Sequence, residues 1–175
     1  MKAWEGMEQR ELSAAVLKTA MAIEEFGIRF YSELSQCVKD KRGSALLRGL
    51  GNDEGEHLRI LTDQMARASK GLDPTKVETI DEYLKILPEK VFVKPKGSCM
   101  TLSDEIAALQ KGIEVEENSI RMYQDALKMS LDDGTRATLE ELVKWERRHK
   151  EILEENLHML KLEGAWYGYG PILEG

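Results

Sequence analysis

Apolar residues recur three and four positions apart along four long stretches of this chain, the spacing of a helix with one buried face. The pattern predicts helices over about 9–38, 44–69, 103–130 and 135–163. Punctuation along the chain agrees with it. Gly71, with Pro74 beyond, closes the second helix, and Gly164 closes the fourth. Ser103 precedes Asp104 and Glu105 at the start of the third, where side-chain oxygens can accept the unpaired N–H groups of a first turn. The connections near 39–43 and 131–134 are short, so each pair of helices should form an antiparallel hairpin. Residues 70–102 between the hairpins carry Pro74, Pro88, Pro95 and Gly97, with room for one short helix at 80–87. A connection of that length suits a crossover running the length of a bundle. The expectation is an all-α fold, a four-helix bundle of two hairpins, in a single domain over 1–175.

The second hairpin repeats the first. Glu24 is followed 30 positions later by Glu54 and 33 later by His57; Glu116 is followed at the same intervals by Glu146 and His149. Tyr31 and Tyr123 stand seven residues after Glu24 and Glu116, and the offset between halves is 92 at every one of these positions. Residues three, four and seven apart share a helix face. Glu24 therefore lies in line with Leu17, Ala20, Gly27, Ile28 and Tyr31, and Glu116 with Leu109, Gly112, Ile113, Ile120 and Tyr123. Glu54 and His57 share a face with Leu47, Leu50, Leu58, Leu61 and Met65; Glu146 and His149 share one with Leu139, Leu142, Val143, Leu153 and Leu157. Each helix thus carries a carboxylate within its own apolar stripe.

A buried, unpaired carboxylate costs several kcal/mol, and four in one core also repel one another. They can protonate or bind cations. Four carboxylates, two neutral imidazoles and two divalent ions sum to zero charge, and the Glu-x-x-His spacing aims an oxygen and a nitrogen at one ion. The expected metal ligands are Glu24, Glu54, His57, Glu116, Glu146 and His149. One Glu-x-x-His alone carries little weight in a chain with 23 glutamates. Glu155 and His158 form a third such pair, nine residues past Glu146 and half a turn away, and read as surface. The set offers no thiolate, which suits iron, with manganese or zinc as substitutes.

Two Glu on two helices with Glu-x-x-His on the other two resembles the ferritin-like di-iron carboxylate bundles, and among them the rubrerythrin family. The resemblance covers about 14–160. It rests on Ala22-Ile23-Glu24-Glu25-Phe26-Gly27-Ile28-Arg29-Phe30-Tyr31, Asp53-Glu54-Gly55-Glu56-His57, Glu116-Glu117-Asn118-Ser119-Ile120-Arg121-Met122-Tyr123 and Trp145-Glu146-Arg147-Arg148-His149. It implies two iron ions and a peroxidase-type oxidoreductase that reduces hydrogen peroxide to water. The alternative is an iron-oxidising or iron-storing protein acting with oxygen. It implies that Tyr31 and Tyr123 steady the carboxylates and that Asp53 orients a ligand histidine, a place held by Trp145 in the second half.

Two departures qualify the resemblance. Rubrerythrins carry a further glutamate about one turn after the main one on the third ligand helix. Here Ser119 stands there, and Gly27 at its counterpart, so a more symmetric site of six side chains is expected; Glu117 and Glu114 point elsewhere. Cys37 and Cys99 form no Cys-x-x-Cys pair, so a rubredoxin-like electron donor would have to be a separate protein. Both are expected to be reduced, packed thiols. The tail Trp166-Tyr167-Gly168-Tyr169-Gly170-Pro171 falls outside the pattern and is expected to pack on the bundle or on a partner subunit of a homodimer or larger homo-oligomer.

Bulk properties narrow the setting. The net charge is -7, which argues against nucleic acid. No apolar run reaches the ~18 residues of a membrane span, and Met1 to Arg10 is charged, without a signal-peptide core. The expectation is a cytoplasmic protein with no membrane partner.

Overall fold

The computed structural model describes residues 7–73, 76–85, 87 and 101–168. Its elements are α1 (Gln9–Cys37), α2 (Lys41–Ala68), the single turn α3 (Asp81–Leu84), α4 (Leu102–Ala126) and α5 (Asp133–Glu163). The four long helices form a bundle in which α1 pairs with α2 and α4 with α5; α2 then lies against α5, and α1 against α4.

Several boundaries differ from the sequence reading, each for a local reason. α2 begins at Lys41 and not at Ser44 because Asp40 caps it, accepting from the backbone N–H of Arg42 at 2.7 Å and Gly43 at 3.3 Å. Asp132, 92 residues on, does the same for α5 by accepting from the Thr135 N–H at 3.0 Å. α4 stops at Ala126, short of 130. Its chain tightens into i→i+3 bonds at Lys128 and Met129, and Arg136 donates to the carbonyls of Leu127 and Met129. At the start of α4, Thr101 and Asp104 exchange side-chain and backbone hydrogen bonds. Gly164 ends α5 with φ at +66°, a conformation that costs glycine nothing.

The helix at 80–87 shrinks to four residues. It is held on α1, where the Ile80 N–H donates to the buried Thr19 hydroxyl at 2.8 Å. Pro74, Pro88, Pro95, Gly97 and Cys99 lie outside the described residues, as do Tyr169, Gly170 and Pro171. Cys37 is a buried free thiol.

The core is divided in two. One apolar cluster gathers Phe26, Phe30, Leu34, Leu46, Leu47, Leu50, Leu109 and Leu153. The other gathers Leu17, Ala20, Ile23, Leu61, Met122, Leu139 and Leu142. Between them, at mid-height on every long helix, sits the layer of glutamates and histidines. The C-terminal tail closes one end of the bundle. Trp166 is 2% exposed and donates from Nε1 to Glu105 Oε2 at 2.8 Å. Asn156, fully buried, bonds to Gly168 through both its amide atoms, accepting from its N–H and donating to its carbonyl.

The Trp166 ring lies on the first turn of α2. A Cβ on Gly43 would fall 2.3–2.7 Å from that ring, closer than any methyl can sit. Gly43→Ala should therefore displace the tail and cost about 1–3 kcal/mol, as overpacking does. A lowered thermal midpoint with a red-shifted tryptophan emission is the expected result.

Candidate metal centre

The four mid-helix glutamates and two of the three histidines meet in the plane between the two apolar clusters. Glu24, Glu54, Glu116 and Glu146 are each at most 3% exposed, and His57 and His149 are 4% exposed. Two groups emerge whose ligand atoms all lie within 4.8 Å of one another: Glu24, Glu54, His57 and Glu146, and Glu54, Glu116, Glu146 and His149. Glu54 and Glu146, one from each hairpin, belong to both. Each group adds one histidine and one private glutamate.

Both imidazoles turn Nδ1 inward. Nδ1 of His57 lies 2.9 Å from Glu54 Oε2, 3.2 Å from Glu146 Oε1 and 3.3 Å from Glu24 Oε2. Nδ1 of His149 lies 3.4 Å from Glu54 Oε1 and 3.5 Å from Glu146 Oε2. These groups are crowded yet poorly bonded: among the described residues, Glu146 Oε1 and His149 Nδ1 are buried without a hydrogen-bond partner in proper geometry. Buried donors and acceptors are ordinarily satisfied. Convergent oxygen and nitrogen atoms, two of them unsatisfied, are what a pair of cations requires, so the donor set fits two such ions.

The surrounding contacts cross from one half to the other. The Tyr31 hydroxyl donates to Glu116 Oε1 and the Tyr123 hydroxyl to Glu24 Oε1, so each tyrosine holds the opposite half's private glutamate. Asp53 Oδ2 stands 3.6 Å from Nε2 of His149, again across the halves. Gly27 permits the close approach of α2, for a Cβ there would lie 3.1 Å from Glu54 Cγ. Its counterpart Ser119 is buried and donates to the Val115 carbonyl at 3.1 Å. Glu117 faces outward and pairs with Lys150 at 2.9 Å, and Glu114 pairs with Lys111 at 2.6 Å. His158 and Glu155 are exposed on the outer face of α5. One contact escaped the sequence reading: the Trp145 indole stacks on His57 with ring centroids 4.9 Å apart and 6° between planes. The repeat contained the clue, since Trp145 occupies the place of Asp53.

Proton sharing follows from this crowding. Burial pushes Glu24 and Glu116 well above the usual carboxylate range, and the charges of Glu146 and Glu54 add to it. Burial also opposes ionisation of Glu54 and Glu146, but the closeness of both to His149 and His57 outweighs it, and both are lowered. For the histidines burial works against charge and again loses. Glu146, Glu24 and Glu54 push His57 up to about 12, and Asp53, Glu146 and Glu54 raise His149 as well. Protons are thus held by the histidines and by Glu24 and Glu116 in preference to Glu54 and Glu146. Burial, followed by the charge of the adjacent glutamate, also raises Tyr31 and Tyr123, which keeps both as donors.

The chain matches the family model of Rubrerythrin over residues 15–157. Among solved structures, a hypothetical protein from Pyrococcus furiosus is similar with a TM-score of 0.68 and 17% identity, covering 85% of this chain and 90% of that chain. KatB, a manganese catalase from Anabaena PCC7120, is similar with a TM-score of 0.66 and 20% identity, covering 95% of this chain and 80% of that chain. At these identities the likeness is one of fold, a ferritin-like helical bundle. A comparison with curated proteins gives no match. No helix among the described residues is long and apolar enough to cross a membrane.

Two divalent ions filling the centre would compete with these protons for the same oxygen and nitrogen atoms. Release of protons on metal binding is expected near neutral pH, measured by calorimetry in buffers of different ionisation enthalpy. Because metal and protons compete, observed affinity should rise with pH and fall as pH drops. Metal binding without proton release would contradict this competition.

Proposed function

We propose, for a chain that belongs to the rubrerythrin family, that the buried Glu and His cluster is a di-iron centre at which hydrogen peroxide is reduced to water. The observation that carries this reading is the pair of four-residue groups sharing Glu54 and Glu146. Glu54 and Glu146, common to both groups, would serve both ions, with Glu24 and His57 holding one and Glu116 and His149 the other. The oxygen-rich, thiolate-free donor set supports iron or manganese over zinc. Iron bound there would supply the two electrons that break the O–O bond.

The protein's own part is to hold and shield the centre. Reduction of one peroxide to two waters consumes two electrons and two protons. Tyr31 and Tyr123 hold Glu116 and Glu24 in fixed orientations and stay protonated while doing so. The two apolar clusters exclude bulk water on either side of the centre. The electrons must come from a one-electron donor, for which a separate rubredoxin-like protein is our proposal, and the setting is the cytoplasm. Gly27 and Ser119, at the positions that could have added a carboxylate, offer no acid to exchange with a histidine. Neither ion should move far on reduction.

Rapid mixing of the ferrous protein with hydrogen peroxide, and separately with oxygen, tests the reading. Oxidation at least about tenfold faster by peroxide is expected. Faster oxidation by oxygen, with iron accumulating beyond two ions per chain, would assign the centre to iron storage instead.

A further inference from the structure

Besides Gly27 and Ser119, the two halves differ beside the centre at a second pair of positions. Asp53 and Trp145 are related by the 92-residue offset, each one residue ahead of a shared glutamate, and each reaches the histidine of the opposite half. What they bring differs. Asp53 puts a carboxylate oxygen 3.6 Å from Nε2 of His149, across the ring from the Nδ1 that faces Glu54 and Glu146. Trp145 instead lays an indole face on His57, which is itself stacked on His149 at 5.3 Å between centroids.

These neighbours act differently on a ligand. A carboxylate behind an imidazole accepts its remaining N–H, fixes the tautomer and makes the ligating nitrogen more basic. An indole has a single polar atom, and it is a donor. Stacking can hold the plane of His57 but gives its N–H nothing to bond to. The shared glutamates serve both positions and a tyrosine holds each private glutamate. Nδ1 of His57 lies nearer its carboxylates, at 2.9–3.3 Å, than Nδ1 of His149 does to Glu54 and Glu146, at 3.4 and 3.5 Å, but the carboxylate behind the ring belongs to His149.

We propose that the two metal positions are unequal by construction. The position completed by His149 and Glu116 binds the first ion and binds it more tightly; the position completed by His57 and Glu24 fills second. Asp53 and Trp145 are the positioning residues that set this order. The inference rests on the di-metal reading above, and deepens it. It gives the centre one firmly held ion and one that exchanges more readily.

Ordered filling is tested without turnover. Metal-free full-length protein is loaded with one equivalent of cobalt(II) and crystallised, and anomalous diffraction at the cobalt edge gives the occupancy of each position. Occupancy beside His149 should exceed that beside His57 by about 10-fold or more, the size of effect that such a carboxylate partner exerts on affinity. Asp53→Asn should bring the two occupancies to within a few-fold of each other. Trp145→Asp should do so from the other side, by strengthening the position of His57; if that variant does not fold, the Asn variant decides. Equal occupancy in the unaltered protein, or a preference for the His149 side that survives Asp53→Asn, overturns the proposal. Two ions bound without preference would leave the di-metal reading standing, whereas no cobalt between these helices would remove both.

Discussion

Four glutamates and two histidines cannot be packed into one layer of an apolar core unless their charges cancel. Everything else about this bundle follows from that constraint. Burial penalises each ionised group by several kcal/mol, and the carboxylates repel one another across a few ångströms. Protons offset this charge in one way, held by the histidines, Glu24 and Glu116 in preference to Glu54 and Glu146. Two divalent cations would offset it in another, with all four carboxylates ionised and both imidazoles neutral. The apolar clusters lie on either side of the layer and each lends it a tyrosine hydroxyl.

The same layer ties the two hairpins together. Tyr31 serves Glu116 and Tyr123 serves Glu24, while Asp53 of the first half reaches His149 of the second. Completion of the site therefore draws on both halves. Where Trp145 stands in place of Asp53, a stacked ring lies on His57 and no carboxylate.

Much of this was legible in the sequence because it depends on periodicity. Helix faces repeat with the helix turn, and the common 92-residue offset placed six ligand candidates and two tyrosines in register. The bundle architecture and the family followed from those residues. Helix ends were less legible, since they hang on single side chains. Asp40 and Asp132 extend α2 and α5 backwards, and Arg136 holds the early end of α4 from another element. The exact partners of long-range contacts were less legible still. Nothing in the pattern said that Trp166 would lie on Gly43, that Asn156 would bind the tail, or that each tyrosine would serve the opposite half. Such pairings are fixed by how the hairpins dock, which periodicity along one chain does not encode.

The central claim is that this core layer exists to hold two metal ions. Its most direct test is the iron content of protein reconstituted with ferrous iron under anaerobic conditions and freed of unbound metal. Two ions per chain are expected, with loss of both in Glu54→Ala and in Glu146→Ala proteins that remain helical. One ion per chain, none, or full binding by those variants would contradict it.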